Sequence, residues 1–318
     1  MTTYRSIFGP VRSGRLGLSL GLDLLGAPIC SMDCLYCEVG KTRTLTRERR
    51  RWVRGETVLA ELSAYSRENR APEVVTLGGL GEPCLNLDMG MIIEGAKKIH
   101  PGLPVAVLTN ATLLTDATVR AELMGADIVL PSLDSLVEDE FAAVNRPAAG
   151  ITAAACARGI MEFRELFAGR IFLEVLLCKG LNDSQANLEM LADYVGRLSP
   201  DRVDVVTLSR PGAYAEATAA DTETLARFAG RLGAEPKAAD RQAEAGRASK
   251  AETASSSPLT DEAFREIVLS SLRRRPQTPG QISDALGVDE ERVRALLHRL
   301  ESEGAVTCDD TFYALARD

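Results

Sequence analysis

The run Cys30-Ser31-Met32-Asp33-Cys34-Leu35-Tyr36-Cys37 places three thiols in a C-x3-C-x2-C spacing. Three thiolates on one short loop can each take a different iron of a four-iron cubane. The fourth iron, with no protein ligand, is then open to a small chelating molecule. A zinc knuckle and three unrelated thiols compete with this reading, but zinc calls for a fourth Cys or His at regular spacing and none follows locally. Cys84, Cys156, Cys178 and Cys308 stand singly, without the spacing of a second cluster, and the apolar settings of Cys156 and Cys178 suit a small hydrophobe. Cysteines so distributed do not make the framework of a disulfide-stapled secreted domain.

A second chemical segment follows in Leu77-Gly78-Gly79-Leu80-Gly81-Glu82-Pro83. A glycine-rich turn exposes backbone acceptors beside a carboxylate, a combination that suits an ammonium group, although alone it is equally a tight turn. Polar residues recur at the ends of later apolar runs: Thr109-Asn110, Ser132-Leu133-Asp134, and Glu174 with Lys179. Strand ends of this kind are also ordinary turn and cap chemistry. Asn145-Arg146-Pro147, Asn182-Asp183 and Ser209-Arg210-Pro211 read as loops where an arginine could hold a phosphate or carboxylate, or simply stabilise the chain. His100 and His298 are the only histidines, which counts against a histidine base, a histidine-rich zinc site or a Ser-His-Asp triad.

The elements that must position these groups alternate. Apolar runs near Leu18–Asp23, Val74–Leu77, Val105–Thr109, Ile128–Ser132, Ile171–Leu177 and Val203–Leu208 read as strands covered on both faces. Between them, Glu56–Glu68, Met89–Ile99, Asp116–Met124, Thr152–Phe167, Ser184–Leu198 and Asp221–Leu232 carry apolar residues at helical spacing. The fold class expected is α/β: a partial (β/α)6 TIM-like barrel over residues 1–235, with the reactive groups on loops at the C-terminal ends of the strands. Residues 236–258, rich in Ala, Ser, Glu and Lys without periodicity, read as a disordered linker. Residues 259–318 read as three helices and a hairpin turning at Asp309-Asp310, in the order of a winged helix.

The 318 residues carry a formal net charge of -8, which opposes broad attraction to nucleic acid. The last unit is itself acidic, with eight Arg and no Lys against twelve Asp or Glu from Leu259 on. DNA binding through Arg292, Arg294, His298 and Arg299 is therefore disfavoured. No leader-like apolar segment and no apolar run of roughly 18 residues is present, so a cytoplasmic protein without membrane association is expected.

Taken together, the cysteine spacing, the aromatic Tyr36 just before the third cysteine and the Gly-x-Gly-Glu-Pro element one strand later resemble the radical S-adenosylmethionine (SAM) superfamily. The resemblance implies a [4Fe-4S] cluster on Cys30, Cys34 and Cys37. It also implies SAM held by Tyr36, Gly79, Gly81, Glu82, Pro83, Asn110, Ser132 and Asp134. The implied reaction is reductive cleavage of SAM to a 5′-deoxyadenosyl radical, which abstracts hydrogen from an RNA, peptide or small-molecule substrate. An external one-electron donor of the flavodoxin or ferredoxin kind is implied with it, since the chain carries no flavin or ferredoxin motif. More narrowly, Leu130-Pro131-Ser132-Leu133-Asp134, Asn145-Arg146-Pro147 and Gly180-Leu181-Asn182-Asp183 are similar to single-cluster iron–sulfur oxidoreductases distantly related to tRNA wyosine synthases. Wyosine synthases have three further cysteines upstream, whereas here none precedes Cys30. The alternative class is an iron–sulfur or SAM-sensing regulator acting through the winged-helix-like unit.

Overall fold

A computed structural model describes residues 4–69, 71–234, 261–309 and 311–316. The segment read as a linker, 236–258, and Asp310 of the expected hairpin turn lie outside the described residues. One curled sheet of seven strands runs in the order β1 (Ile7–Ser13), β2 (Gly17–Asp23), β5 (Val74–Gly78), β6 (Val105–Thr109), β7 (Ile128–Pro131), β8 (Arg170–Leu177) and β9 (Arg202–Thr207). All neighbours are parallel except β1, which pairs antiparallel with β2 at the edge. Helices α1 (Gly55–Glu68), α2 (Met89–Ile99), α3 (Ala117–Leu123), α5 (Ala153–Leu166), α6 (Gln185–Leu198) and α7 (Thr222–Leu232) return the chain to the start of the next strand or close the series. The six expected βα units are thus present, in a half-barrel. Side-chain caps mark the starts of α3, α5, α6 and α7, at Asp116, Thr152, Ser184 and Asp221.

Alternation along each strand sorts the residues into two layers. Leu20 and Leu22, Val75 and Leu77, Val105 and Val107, Val129, Ile171, Leu173 and Val175, and Val203 and Val205 face the helices and form the main core. Val74, Ala106, Ile128, Leu130 and Phe172 fill the concave side in a separate cluster with Leu16 and Leu108. Higher up that concave side the residues turn polar: Ser19 bonds Thr76 at 2.6 Å, and Glu174 and Asp204 follow Phe172 and Arg202 by two positions. The apolar floor and polar upper wall leave the chemistry to the C-terminal ends of the strands.

Two elements depart from the expected pattern. Residues 7–13, to which the sequence pattern assigns no element, form β1; a register shift between Phe8 and Val11 and an edge position tolerate Pro10. Asn145, expected on a loop, is the last residue of α4 (Glu138–Asn145), which ends on Arg146 in the left-handed conformation. Cys30 closes a two-residue strand, β3 (Ile29–Cys30), that pairs with β4 (Thr44–Leu45).

Beyond residue 260, α8 (Asp261–Leu272), α9 (Pro279–Leu286) and α10 (Glu290–Ser302) precede the antiparallel pair β10 (Val306–Asp309) and β11 (Phe312–Leu315). They enclose their own core of Phe264, Val268, Leu272, Ile282, Val293 and Leu297. This unit is joined to the sheet edge: Ser270 Oγ donates to Ile7 O at 3.1 Å, and Arg274 donates to Arg5 O at 3.0 Å. The Arg274 guanidinium also stacks on the Phe8 ring at 4.4 Å and pairs with the buried Asp23 at 3.4 Å. Arg292 and Arg294, the residues through which the disfavoured DNA-binding reading would act, pair with Asp261 and Glu290.

Candidate active site

The cysteine segment and the glycine-rich turn are built as one piece. Ile29 N donates to Leu80 O and Glu82 N to Ile29 O, both at 3.2 Å, so the strand entering Cys30 is laced to the turn leaving β5. Gly81 is required there, because a Cβ on it would stand 1.8 Å from Ile29 O. Gly79 adopts φ +118°, a region that favours glycine, and lies against the Asp23 side chain. Pro83 opens a short 3-10 turn, Pro83–Leu85, capped by Glu82.

Glu82 is buried and joins three strand ends. Its Oε1 accepts Cys84 N at 3.0 Å and Thr109 Oγ1 at 2.8 Å, while Oε2 accepts Asn110 N at 2.6 Å. Burial pushes its pKa up, against these three donors. Asn110 then reaches back to the cysteine loop, its amide donating to Ser31 Oγ at 2.9 Å and lying 3.4 Å from Cys30 Sγ. Ser31 Oγ in turn sits 2.6 Å from Thr112 Oγ1.

A second network fixes the other end of the loop. Tyr36 Oη donates to Asp134 Oδ2 at 2.5 Å, and Asn145 Nδ2 donates to the same oxygen at 2.7 Å and approaches Cys34 Sγ at 3.5 Å. Asp134 Oδ1 accepts Leu176 N at 2.9 Å. Asp134 is buried, which raises its pKa against those donors, and it raises Tyr36 after burial has done so. Its two oxygens thus accept three donors, the same number that Glu82 accepts. Asn182, expected on an open loop, is also buried and donates to Asp134 O and Leu176 O. Ser132 lies beyond β7 in an isolated bridge to Glu174.

The three thiols are free and partly exposed. Burial followed by Glu82 pushes Cys30 up to about 12; burial followed by Cys30 and Cys37 raises Cys34; burial raises Cys37 against the Val39 and Gly40 N–H groups. Among the described residues no three His, Cys, Asp or Glu side chains converge tightly enough to share one ion. One zinc, with Zn–S about 2.3 Å, would draw its sulfurs to about 4 Å of each other. Three thiolates on one short loop can instead each serve a different corner of a multinuclear cluster, as the superfamily resemblance implies. Of the residues singled out in the sequence, Cys30, Gly81, Glu82, Pro83 and Asn110 meet in the first network and Cys34, Tyr36 and Asp134 in the second. Lys179 points away to Asp221 at the surface. Ser31, Thr112 and Asp23 were not singled out, since nothing in their local spacing marks them.

Comparison with known proteins follows the same lines. Residues 24–192 match the family model described as Radical SAM superfamily. A UPF0026 protein of Synechocystis is 38% identical over 214 residues, covering 66% of this chain and 77% of its own. A Brachyspira hyodysenteriae protein named GTPase Obg is 32% identical over 306 residues, 95% of this chain but 43% of that protein, so the chain spans less than half of that relative's length. The structure of Streptococcus suis SuiB bound to S-adenosylmethionine superposes with a TM-score of 0.50 at 15% identity, covering 71% of this chain and 48% of SuiB. That likeness shows the half-barrel fold.

Proposed function

The chain belongs to the radical SAM superfamily, whose enzymes use a [4Fe-4S] cluster and SAM, and from that membership we propose that Cys30, Cys34 and Cys37 hold the cluster in this enzyme. When bound, the cluster would supply the electron for reductive cleavage of SAM, the chemistry from which hydrogen abstraction from a substrate would follow. The observation that carries the reading is the lacing of the cysteine loop to the Gly-x-Gly-Glu-Pro turn through Ile29, Leu80 and Gly81, with Asn110 spanning both.

The protein's part is positioning. Gly79 and Gly81 let the backbone of the turn come close, and Pro83 fixes the bend that buries Glu82. A carboxylate has about four lone-pair positions; with three donors bound, Glu82 keeps one for the ammonium of SAM. Asn110 and Ser132 are assigned to its polar end. Tyr36, held by Asp134 and Asn145, fixes the wall beside Cys34, and Asp134 acts through Tyr36 and Asn145. The electron comes from an external donor of the flavodoxin or ferredoxin class. Residues 1–235 form the catalytic half-barrel and residues 259–318 a winged-helix-like unit docked on its edge.

Anaerobic reconstitution with iron and sulfide, reduction and addition of SAM is expected to yield 5′-deoxyadenosine. The Cys34→Ala variant should yield none. A wild-type protein without a cubane spectrum, or a Cys34→Ala protein that still makes the nucleoside, refutes the assignment.

A further inference from the structure

Residues 41–54 hold seven basic side chains and one acidic one, in a chain whose net charge is -8. Part of that local excess is neutralised: Arg49 pairs with Glu122, Arg50 with Glu48 and Arg51 with Asp88. Arg43 and Arg47 form no ion pair among the described residues, and neither does Arg158 of α5. All three are exposed.

This segment is fastened to the outside of the cysteine loop. Arg43 N donates to Pro28 O and Thr46 N to Cys30 O, both at 2.9 Å, and Leu45 stands opposite Cys30 in the register of β3 with β4. Paired strands lie about 4.8 Å apart, so the chain from Arg43 to Arg47 runs one strand spacing from the first cysteine. Thr42 turns inward and donates to Met32 O at 2.8 Å. Arg43, Leu45 and Arg47, at alternate positions of the extended chain, turn outward, and Leu45 is 46% exposed. An open cavity of about 240 Å³ beside them is lined by Arg47, Arg158 and Thr112, and Thr112 Oγ1 sits 2.6 Å from Ser31 Oγ in the cysteine loop.

Unpaired arginines around an exposed apolar side chain are the make-up of a protein-binding surface, and their charge calls for an acidic partner. At about 0.1 M salt the Debye length is about 10 Å, so a partner here answers to the local positive charge and not to the distant acidic residues. Position decides what the partner does. Arg49 reaches Glu122 of α3, Arg51 reaches Asp88 at the start of α2, and Arg158 lies on α5, so this rim belongs to the helix side. The cysteine loop stands between it and the concave side, where a substrate C–H bond has to be presented. A substrate gripped on this rim is on the wrong side of the loop, whereas an electron crosses it without a path for atoms.

Resting on the cluster assignment above, we propose that Arg43, Leu45, Arg47 and Arg158 form the docking surface for the reductant, a small acidic protein carrying a one-electron redox group. One electron leaves the docked carrier, which is oxidised, and reduces the cluster; no bond forms or breaks.

The test is isothermal titration of the anaerobically reconstituted full chain with oxidised flavodoxin and, separately, oxidised ferredoxin, at about 0.1 M salt. Saturable binding of at least one is expected, weakening as salt is raised. Arg43→Glu and Arg47→Glu should each raise Kd roughly tenfold, because a like charge now meets the acidic carrier. Leu45→Ser should raise it roughly threefold. Lys98→Glu makes the same change in net charge at an exposed position near the far end of α2 and should shift Kd by less than about twofold. Thermal unfolding of the same samples checks the fold; should Arg47→Glu melt early, Arg158→Glu reverses the same cavity from α5. As a second readout, 5′-deoxyadenosine formed with the reduced carrier should fall in the reversal variants, while that formed with dithionite, which needs no docking, stays at the wild-type rate. Absence of saturable binding to both carriers, or reversals no weaker than Lys98→Glu, overturns the proposal, as does a tRNA that binds these arginines more tightly than either carrier. The titration involves no SAM cleavage: a chain that makes the nucleoside with dithionite but binds neither carrier refutes the docking surface alone, and one that binds a carrier but makes no nucleoside refutes the cluster reading.

Discussion

Replacing Glu82 by Gln tests how the two loops are locked together. The carboxylate accepts three donors, two on Oε1 and one, Asn110 N at 2.6 Å, on Oε2. A glutamine has one acceptor oxygen, so whichever way its amide faces, its NH2 meets at least one N–H or O–H that needs an acceptor. The loss of a bond to a charged acceptor costs about 1.5–3 kcal/mol, and a buried donor left unsatisfied about 1–3 kcal/mol. Burial opposes the ionised form of Glu82, so neutralisation returns part of this. The net expectation is a destabilisation of about 2–4 kcal/mol. With a urea slope of about 3 kcal/mol/M, the midpoint of the cluster-free chain should fall by about 1 M. Binding of SAM to the reconstituted protein, followed by equilibrium dialysis, should weaken along with it. A midpoint moved by less than about 0.3 M, with SAM affinity kept, would mean that Glu82 is already neutral in the folded chain and is not the acceptor described here.

Other perturbations address separate parts of the same argument. Gly81→Ala puts a Cβ 1.8 Å from Ile29 O and must part the loops; iron retention and SAM binding should both fall while far-UV circular dichroism stays unchanged, and retention of both would show the lacing to be dispensable. Arg274→Met leaves Asp23 buried without its cation, a loss of about 3–5 kcal/mol. Hydrogen exchange should then accelerate in β1 and α8 but not in β5–β8, and a uniform acceleration would contradict a local dock. The raised pKa of Asp134 gives a signed pH effect. Because it binds its proton more tightly folded than unfolded, its contribution to stability is complete below about pH 4 and is lost as the pH rises through the higher folded value. Asp134→Asn should therefore show a smaller drop in urea midpoint from pH 4.5 to 8 than the wild type; an equal drop would place the titration elsewhere.

The sequence by itself determined the chemistry and most of the scaffold. Cysteine spacing and the Gly-x-Gly-Glu-Pro run are local, and so are the apolar periodicities of strands such as Val105–Thr109 and helices such as Met89–Ile99, each legible within a dozen residues. Only the tertiary structure decided that β1 joins the sheet edge despite Gly9-Pro10, because an edge strand's tolerance of proline depends on which side lacks a neighbour. It also decided that Asp134 and Glu82 spend their oxygens on Tyr36, Asn145, Thr109 and Asn110, residues 11 to 98 positions away. Asp23 with Arg274, 251 positions apart, is the extreme case. A buried carboxylate takes whatever donors folding brings within reach, and no local pattern records which those will be.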